Sequence, residues 1–123
     1  MARYPGLTLR ILADKYPAMG PGKAQLVAAI DATGSISAAA RVMGMSYRRA
    51  WQLVEAINGS FSQPVVVTAT GGKRGGGARV TPFGRKLIRR YRAMENKASA
   101  AIVKDLQLFS RHLKRQSAPR GDR

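Results

Sequence analysis

Two glycine–serine breaks stand ten residues apart in this chain, at Gly34-Ser35 and at Gly44-Met45-Ser46. Between them lies the alanine-dense run Ile36–Met43. A glycine ends a helix by adopting the left-handed conformation, and a serine opens one by accepting a free backbone N–H. The spacing therefore predicts a short helix over 36–43, pinned between two longer ones. Ala38, Ala39 and Ala40 let a neighbouring helix approach closely. Upstream, Pro21 and Gly22 open a helix that runs to about Thr33, with Leu26, Val27 and Ile30 on its apolar face. Downstream, a helix runs from Tyr47 to about Asn58. Ala50, Trp51, Val54 and Ile57 recur at helical spacing and predict its buried face, opposite Arg48, Arg49, Gln52 and Glu55.

The flanking segments complete the outline. Leu7–Leu12 alternates apolar and polar residues and reads as a short strand, and Tyr16–Gly22 reads as a turn rich in proline and glycine. Val65–Thr68 is strongly β-forming, and Ala78–Val80 resumes a strand. The loop between them, Thr70–Gly77, offers no apolar side chain, so the three pieces read as a hairpin with a basic, glycine-rich tip. Thr81-Pro82 is a capping hydroxyl followed by proline at the first helical position. From there Leu87, Tyr91, Met94, Ala98, Ile102, Leu106, Phe109 and Leu113 form a narrow apolar stripe, the pattern of a coiled-coil seam. The fold class is mainly α with a small β hairpin. The expected division is a first domain over 1–84, a long helix over 85–115 whose stripe suits dimerisation, and a disordered basic tail over 116–123.

Lysine and arginine number 22 against 6 aspartates and glutamates, a net charge of +16 in 123 residues. None of the acids falls between Glu55 and Glu95, where Lys73, Arg74, Arg79, Arg85, Lys86, Arg89, Arg90 and Arg92 sit. Localised charge of one sign is the footprint of a polyanionic partner. Apolar residues make up 45%, too many for a disordered basic arm. Cysteine is absent and His112 is the single histidine, so disulfides, thiolate metal sites and most acid–base constellations are excluded. No enzyme, metal or cofactor is expected. The N-terminus lacks the apolar stretch of a secretory leader, and no run approaches the ~20 apolar residues that span a bilayer. The expected setting is the cytoplasm, at the nucleoid, with no membrane partner.

Two helices joined by a tight turn form a helix-turn-helix, whose second helix must dock by one apolar face and keep its N-terminal residues polar and free. Ser46, Tyr47, Arg48, Arg49 and Gln52 meet that requirement. Arginine presents a bidentate fork to guanine and glutamine one to adenine. Lys73, Arg74 and Arg79 on the hairpin would hold the DNA backbone or minor groove, a positioning role rather than base readout. Ser35 and Arg85 complete the expected DNA-contacting set. The glycine-rich loop matches neither nucleotide-binding spacing.

Three runs occur in order: Thr33-Gly34-Ser35-Ile36-Ser37-Ala38-Ala39-Ala40, Gly44-Met45-Ser46-Tyr47-Arg48-Arg49-Ala50-Trp51, and Gly71-Gly72-Lys73-Arg74-Gly75-Gly76-Gly77-Ala78-Arg79-Val80-Thr81-Pro82-Phe83-Gly84. Together they resemble the N-terminal winged-helix domain of ModE-type molybdenum-dependent regulators, itself distantly similar to the DNA-binding domain of LysR-type regulators. The resemblance covers roughly residues 20–95. It implies a homodimer paired through the long helix, a recognition helix at Ser46–Asn58 and a wing at Thr70–Val80. Family members carry C-terminal modules that bind molybdate, whereas this chain ends about 30 residues after the matched region. Molybdate sensing is therefore not carried over, and an effector or a separate sensing chain is left open. The expectation is a sequence-specific, homodimeric regulator on double-stranded DNA. The alternative is an architectural protein of the nucleoid with little sequence preference.

Overall fold

The structure, a computed structural model, describes residues 6–69 and 77–114. The expected tail over 116–123 lies outside them. The fold is mostly helical, with five helices and two small antiparallel sheets among the described residues.

The chain begins with a two-stranded ribbon, β1 (Ile11–Ala13) and β2 (Tyr16–Met19). The strand expected over Leu7–Leu12 is thus shifted toward the C-terminus, and the expected turn over Tyr16–Gly22 is mostly strand. Asp14 explains the shift. It turns the chain at φ 62°, a left-handed conformation that aspartate tolerates, so Ala13 pairs with Tyr16 and Leu12 with Pro17. Pro17 is accommodated because each strand of a two-stranded ribbon has a free edge.

Helix α1 (Pro21–Thr33) ends at Gly34, φ 75°, whose N–H reaches Ile30 O. Helix α2 (Ile36–Met43) starts on Ser35, whose Oγ accepts from Ala38 N at 3.0 Å, and stops at Gly44, φ 71°. Helix α3 (Tyr47–Ser60) starts on Ser46, whose Oγ accepts from Arg49 N at 3.0 Å. It runs through Asn58 and Gly59 instead of ending there. Strands β3 (Val66–Ala69) and β4 (Gly77–Val80) pair from Val66↔Val80 to Ala69↔Gly77. Helix α4 (Pro82–Ala101) starts on Thr81, whose Oγ1 accepts from Gly84 N at 2.9 Å.

The single helix expected over 85–115 is in fact two. Helix α4 ends at Ile102 (φ −113°, ψ 15°), whose N–H turns back to Ser99 O, and a short α5 (Val103–Ser110) follows. The β-branched pair Ile102-Val103 crowds the preceding turn, which favours such a break.

The main core gathers Leu26, Val27 and Ile30 of α1, Ile36, Ala39 and Ala40 of α2, and Ala50, Val54 and Ile57 of α3 against Val65, Val66, Ala78 and Val80. A smaller cluster joins Met19, Ala24 and Tyr91, with Leu9 and Ile11 packed on it. Gly84 brings α4 onto the hairpin base. A Cβ there would lie 2.6 Å from Val65 O and 2.9 Å from Cγ1 of both Val65 and Val80. No described helix is long and apolar enough to cross a membrane.

Candidate nucleic-acid interface

The helix pair α2–α3 turns through Gly44, and Met45 N donates to Ala40 O at 3.0 Å. Ala50, Val54 and Ile57 are buried on the inner side of α3. Its outer side exposes Ser46, Tyr47, Arg48, Arg49 and Gln52. Tyr47 is 54% exposed, and its ring stands edge-on to Trp51 with centroids 6.3 Å apart. Trp51 packs partly buried against the core, as its spacing predicted. Among the described residues, no ion pair engages Arg48 or Arg49. Ser35 is half-buried with its oxygen occupied by the α2 cap.

The β3–β4 hairpin is tied to this helix pair at two points. Ala78 N donates to Gly34 O at 2.9 Å, so β4 rests on the α1–α2 turn. A Cβ at Gly77 would lie 3.1 Å from the same oxygen. From the other side, Asn58 of α3 holds β3. Its Oδ1 accepts from Val65 N at 2.8 Å and Val66 N at 3.1 Å, and its Nδ2 donates to Val66 O at 2.9 Å. Arg79 is exposed on β4, opposite Val67. Lys73 and Arg74 lie outside the described residues.

Arg85, expected to contact DNA beside the hairpin, is engaged within the chain. Its Nη2 donates to Asp31 Oδ1 of α1 at 2.9 Å. That hydrogen bond and the carboxylate charge raise its pKa further above the usual guanidinium value.

The structure adds two cations that linear reading missed. Arg10, Lys23 and Arg49 line one cleft where the N-terminal segment, the start of α1 and the start of α3 meet. Lys23 Nζ donates to Pro17 O at 2.6 Å. Burial, then the nearby charges of Arg10 and Arg49, lower the Lys23 pKa from its ordinary value. No local signal marks Arg10 or Lys23, because the three residues come from separate elements.

The expected dimerisation stripe divides. Tyr91 is 2% exposed and its hydroxyl donates to Leu9 O at 2.7 Å, so it belongs to the chain's own core and not to a seam. Leu87 packs against the same two clusters. Leu106 meets the N-terminal segment: a Cβ at Gly6 would lie 2.8 Å from its Cδ2. Ala98 and Ile102 are half-buried, while Met94, Phe109 and Leu113 are exposed, joined by Val103 and Leu108 from outside the stripe.

Similarity to known proteins runs through most of the chain. It is 50% identical over 95 residues to the molybdenum-pterin-binding protein MopB of Rhodobacter capsulatus, covering 77% of this chain and 34% of that protein. It is 36% identical over 89 residues to the molybdenum transport protein ModE of Azotobacter vinelandii, covering 72% of this chain and 33% of that protein. It is 41% identical over 71 residues to the DNA-binding transcriptional dual regulator ModE of Escherichia coli (strain K12), covering 58% and 27%. No protein-family model matches the chain. The chain spans about a third of the length of the relatives it matches.

Proposed function

We propose that the chain is a sequence-specific DNA-binding transcriptional regulator that acts as a homodimer in the cytoplasm. Its fold is read as a winged helix-turn-helix over 1–84, with α2–α3 as the helix-turn-helix and β3–β4 as the wing. One observation carries the reading. Helix α3 is buried along Ala50, Val54 and Ile57 and presents Tyr47, Arg48, Arg49 and Gln52 to solvent from its first two turns. A helix docked in this way can enter a major groove, about 12 Å wide, without leaving the domain. Arg48 and Gln52 are assigned to base edges, and Arg49 to DNA contact from the same turn. Ser35, Ser46 and Tyr47 are assigned to phosphates, as are Lys73, Arg74 and Arg79. Arg85 joins them only by exchanging Asp31 for a phosphate. The description of a relative as a DNA-binding transcriptional dual regulator supports the reading.

The dimer is assigned to residues 85–115, through the exposed side chains of Met94, Val103, Leu108, Phe109 and Leu113 and not through Tyr91. A two-fold dimer reads a near-palindromic site whose half-sites are separated by whole turns, about 34–36 Å each. Selection of bound duplexes from a random library at physiological salt tests this. An enriched palindrome is the expected result. Tight, salt-sensitive binding without enrichment would instead favour an architectural role, for which the +16 charge is the supporting observation.

A further inference from the structure

The cleft lined by Arg10, Lys23 and Arg49 is about 520 Å³, and no aspartate or glutamate among the described residues lines it. Among the described residues, the carboxylates that pair with arginines are elsewhere: Asp31 holds Arg85 and Glu95 holds Arg92. Three like charges therefore converge on one concave surface without a counter-charge. Such convergence opposes folding unless an anion relieves it. Burial first, and then its two cationic neighbours, lower the Lys23 pKa from its ordinary value. The surface also suits close approach by an oxyanion. Gly20 and Gly22 place bare backbone on it, and Thr8 adds a hydroxyl.

We propose that this cleft seats a phosphate of the DNA backbone, with Arg10, Lys23 and Arg49 as its cationic ligands. The inference rests on the DNA-binding reading above and extends it to two residues outside α3 and the hairpin. Position favours a backbone phosphate over a free ion. Arg49 follows Arg48 in the first turn of α3, so an anion held by Arg49 lies at the edge of whatever groove α3 enters. The seat would anchor the N-terminal segment and α1 to the strand bordering that groove. It carries no base information, so it adds affinity to all sequences alike.

The test measures binding of the full chain to a selected duplex and to a scrambled one, by fluorescence anisotropy from 50 to 200 mM salt. The variants are Arg10→Met and Lys23→Met. Arg10→Met leaves the Lys23–Pro17 hydrogen bond intact, so it keeps the test usable where Lys23→Met folds poorly. The seat predicts weaker binding to both duplexes. Loss of one phosphate contact also removes a factor of about 3.5 from the fall in affinity over that salt range, since four raised to the power 0.9 is about 3.5. A wild-type chain that binds, with Arg10→Met unchanged in affinity and salt slope, would overturn the seat and leave the DNA reading standing. Absence of wild-type binding to any duplex would overturn the DNA reading. The seat is then judged by thermal unfolding in inorganic phosphate against chloride at matched ionic strength. Phosphate-specific stabilisation that Arg10→Met abolishes would support an oxyanion seat, and its absence would overturn one.

Discussion

Asn58 is the residue through which α3 grips the hairpin, and its replacement tests that coupling quantitatively. Asn58→Ala removes three hydrogen bonds, two accepted from Val65 N and Val66 N and one donated to Val66 O. Val65 is 0% exposed and Val66 2%, so water does not readily replace the lost acceptor. Net loss per hydrogen bond is about 0.5–1.5 kcal/mol, and a buried donor left unsatisfied costs about 1–3 kcal/mol. Alanine returns up to about 0.7 kcal/mol through its higher helix propensity. The balance is a destabilisation of about 2–4 kcal/mol, a large part of the roughly 5–15 kcal/mol typical of a domain. Asn58→Asp separates the contributions. It keeps the two accepted bonds but sets a carboxylate oxygen against Val66 O, so it falls between wild type and alanine at neutral pH. Urea unfolding followed by circular dichroism gives both values, with the midpoint shifted and the slope unchanged. A loss below 1 kcal/mol for alanine would refute the reasoning, because Val65 and Val66 would then have found other partners at no cost.

Other substitutions probe the remaining joints. Gly84→Ala drives a Cβ to 2.6 Å from Val65 O, and overpacking of about 1–3 kcal/mol outweighs the roughly 1 kcal/mol gained in helix propensity, giving a measurable fall in the urea midpoint. Arg48→Ala costs about 1–3 kcal/mol of binding to the selected duplex and relaxes specificity at one base position, read by competition with single-base variants. Phe109→Glu places a charge on a side chain that is 65% exposed, so sedimentation velocity should show monomers while helix content is retained. Lys23 gives a pH signature. Its folded pKa lies below the ordinary 10.5, so between the two values the unfolded chain binds more protons and stability rises with pH. Lys23→Met should lose that rise in thermal unfolding scans at alkaline pH.

The helical frame was legible because its signals are local. Gly34 and Gly44 take the left-handed conformation their positions demanded, and Ser35, Ser46 and Thr81 cap the helices they precede. Periodicity placed Ala50, Val54 and Ile57 inward for the same reason. What escaped is non-local. The spacing of Leu87 and Tyr91 shows that one side of α4 is apolar, but not what covers it. The cover is the chain's own N-terminal segment, where Leu9 O meets the Tyr91 hydroxyl across 82 positions. The same segment carries Arg10 to Lys23 and Arg49, which no linear pattern groups. Sequence spacing carries α3 only to about Asn58, yet Asn58 stays helical and spends its amide on a strand.

These ties bear on how α3 and the hairpin would act together. Ala78 N to Gly34 O fixes β4 against the α1–α2 turn, and Asn58 fixes β3 against α3. Thr81 closes the base, its N–H on Val65 O at 2.9 Å and its hydroxyl donating to Pro64 O at 2.8 Å. All three anchors use backbone groups or short side chains, which have few rotamers through which to slacken. The hairpin base therefore keeps one orientation relative to α3 before any partner arrives. Preorganisation of this kind lowers the ordering cost of association. On the proposed reading it also sets a geometric demand: the DNA strand that Arg79 would reach and the groove that α3 would enter must be separated by the distance this frame imposes. Loosening the frame at Asn58 should then weaken DNA binding even in conditions where the variant remains folded, although Asn58 itself points at Val65 and Val66 and not at the partner.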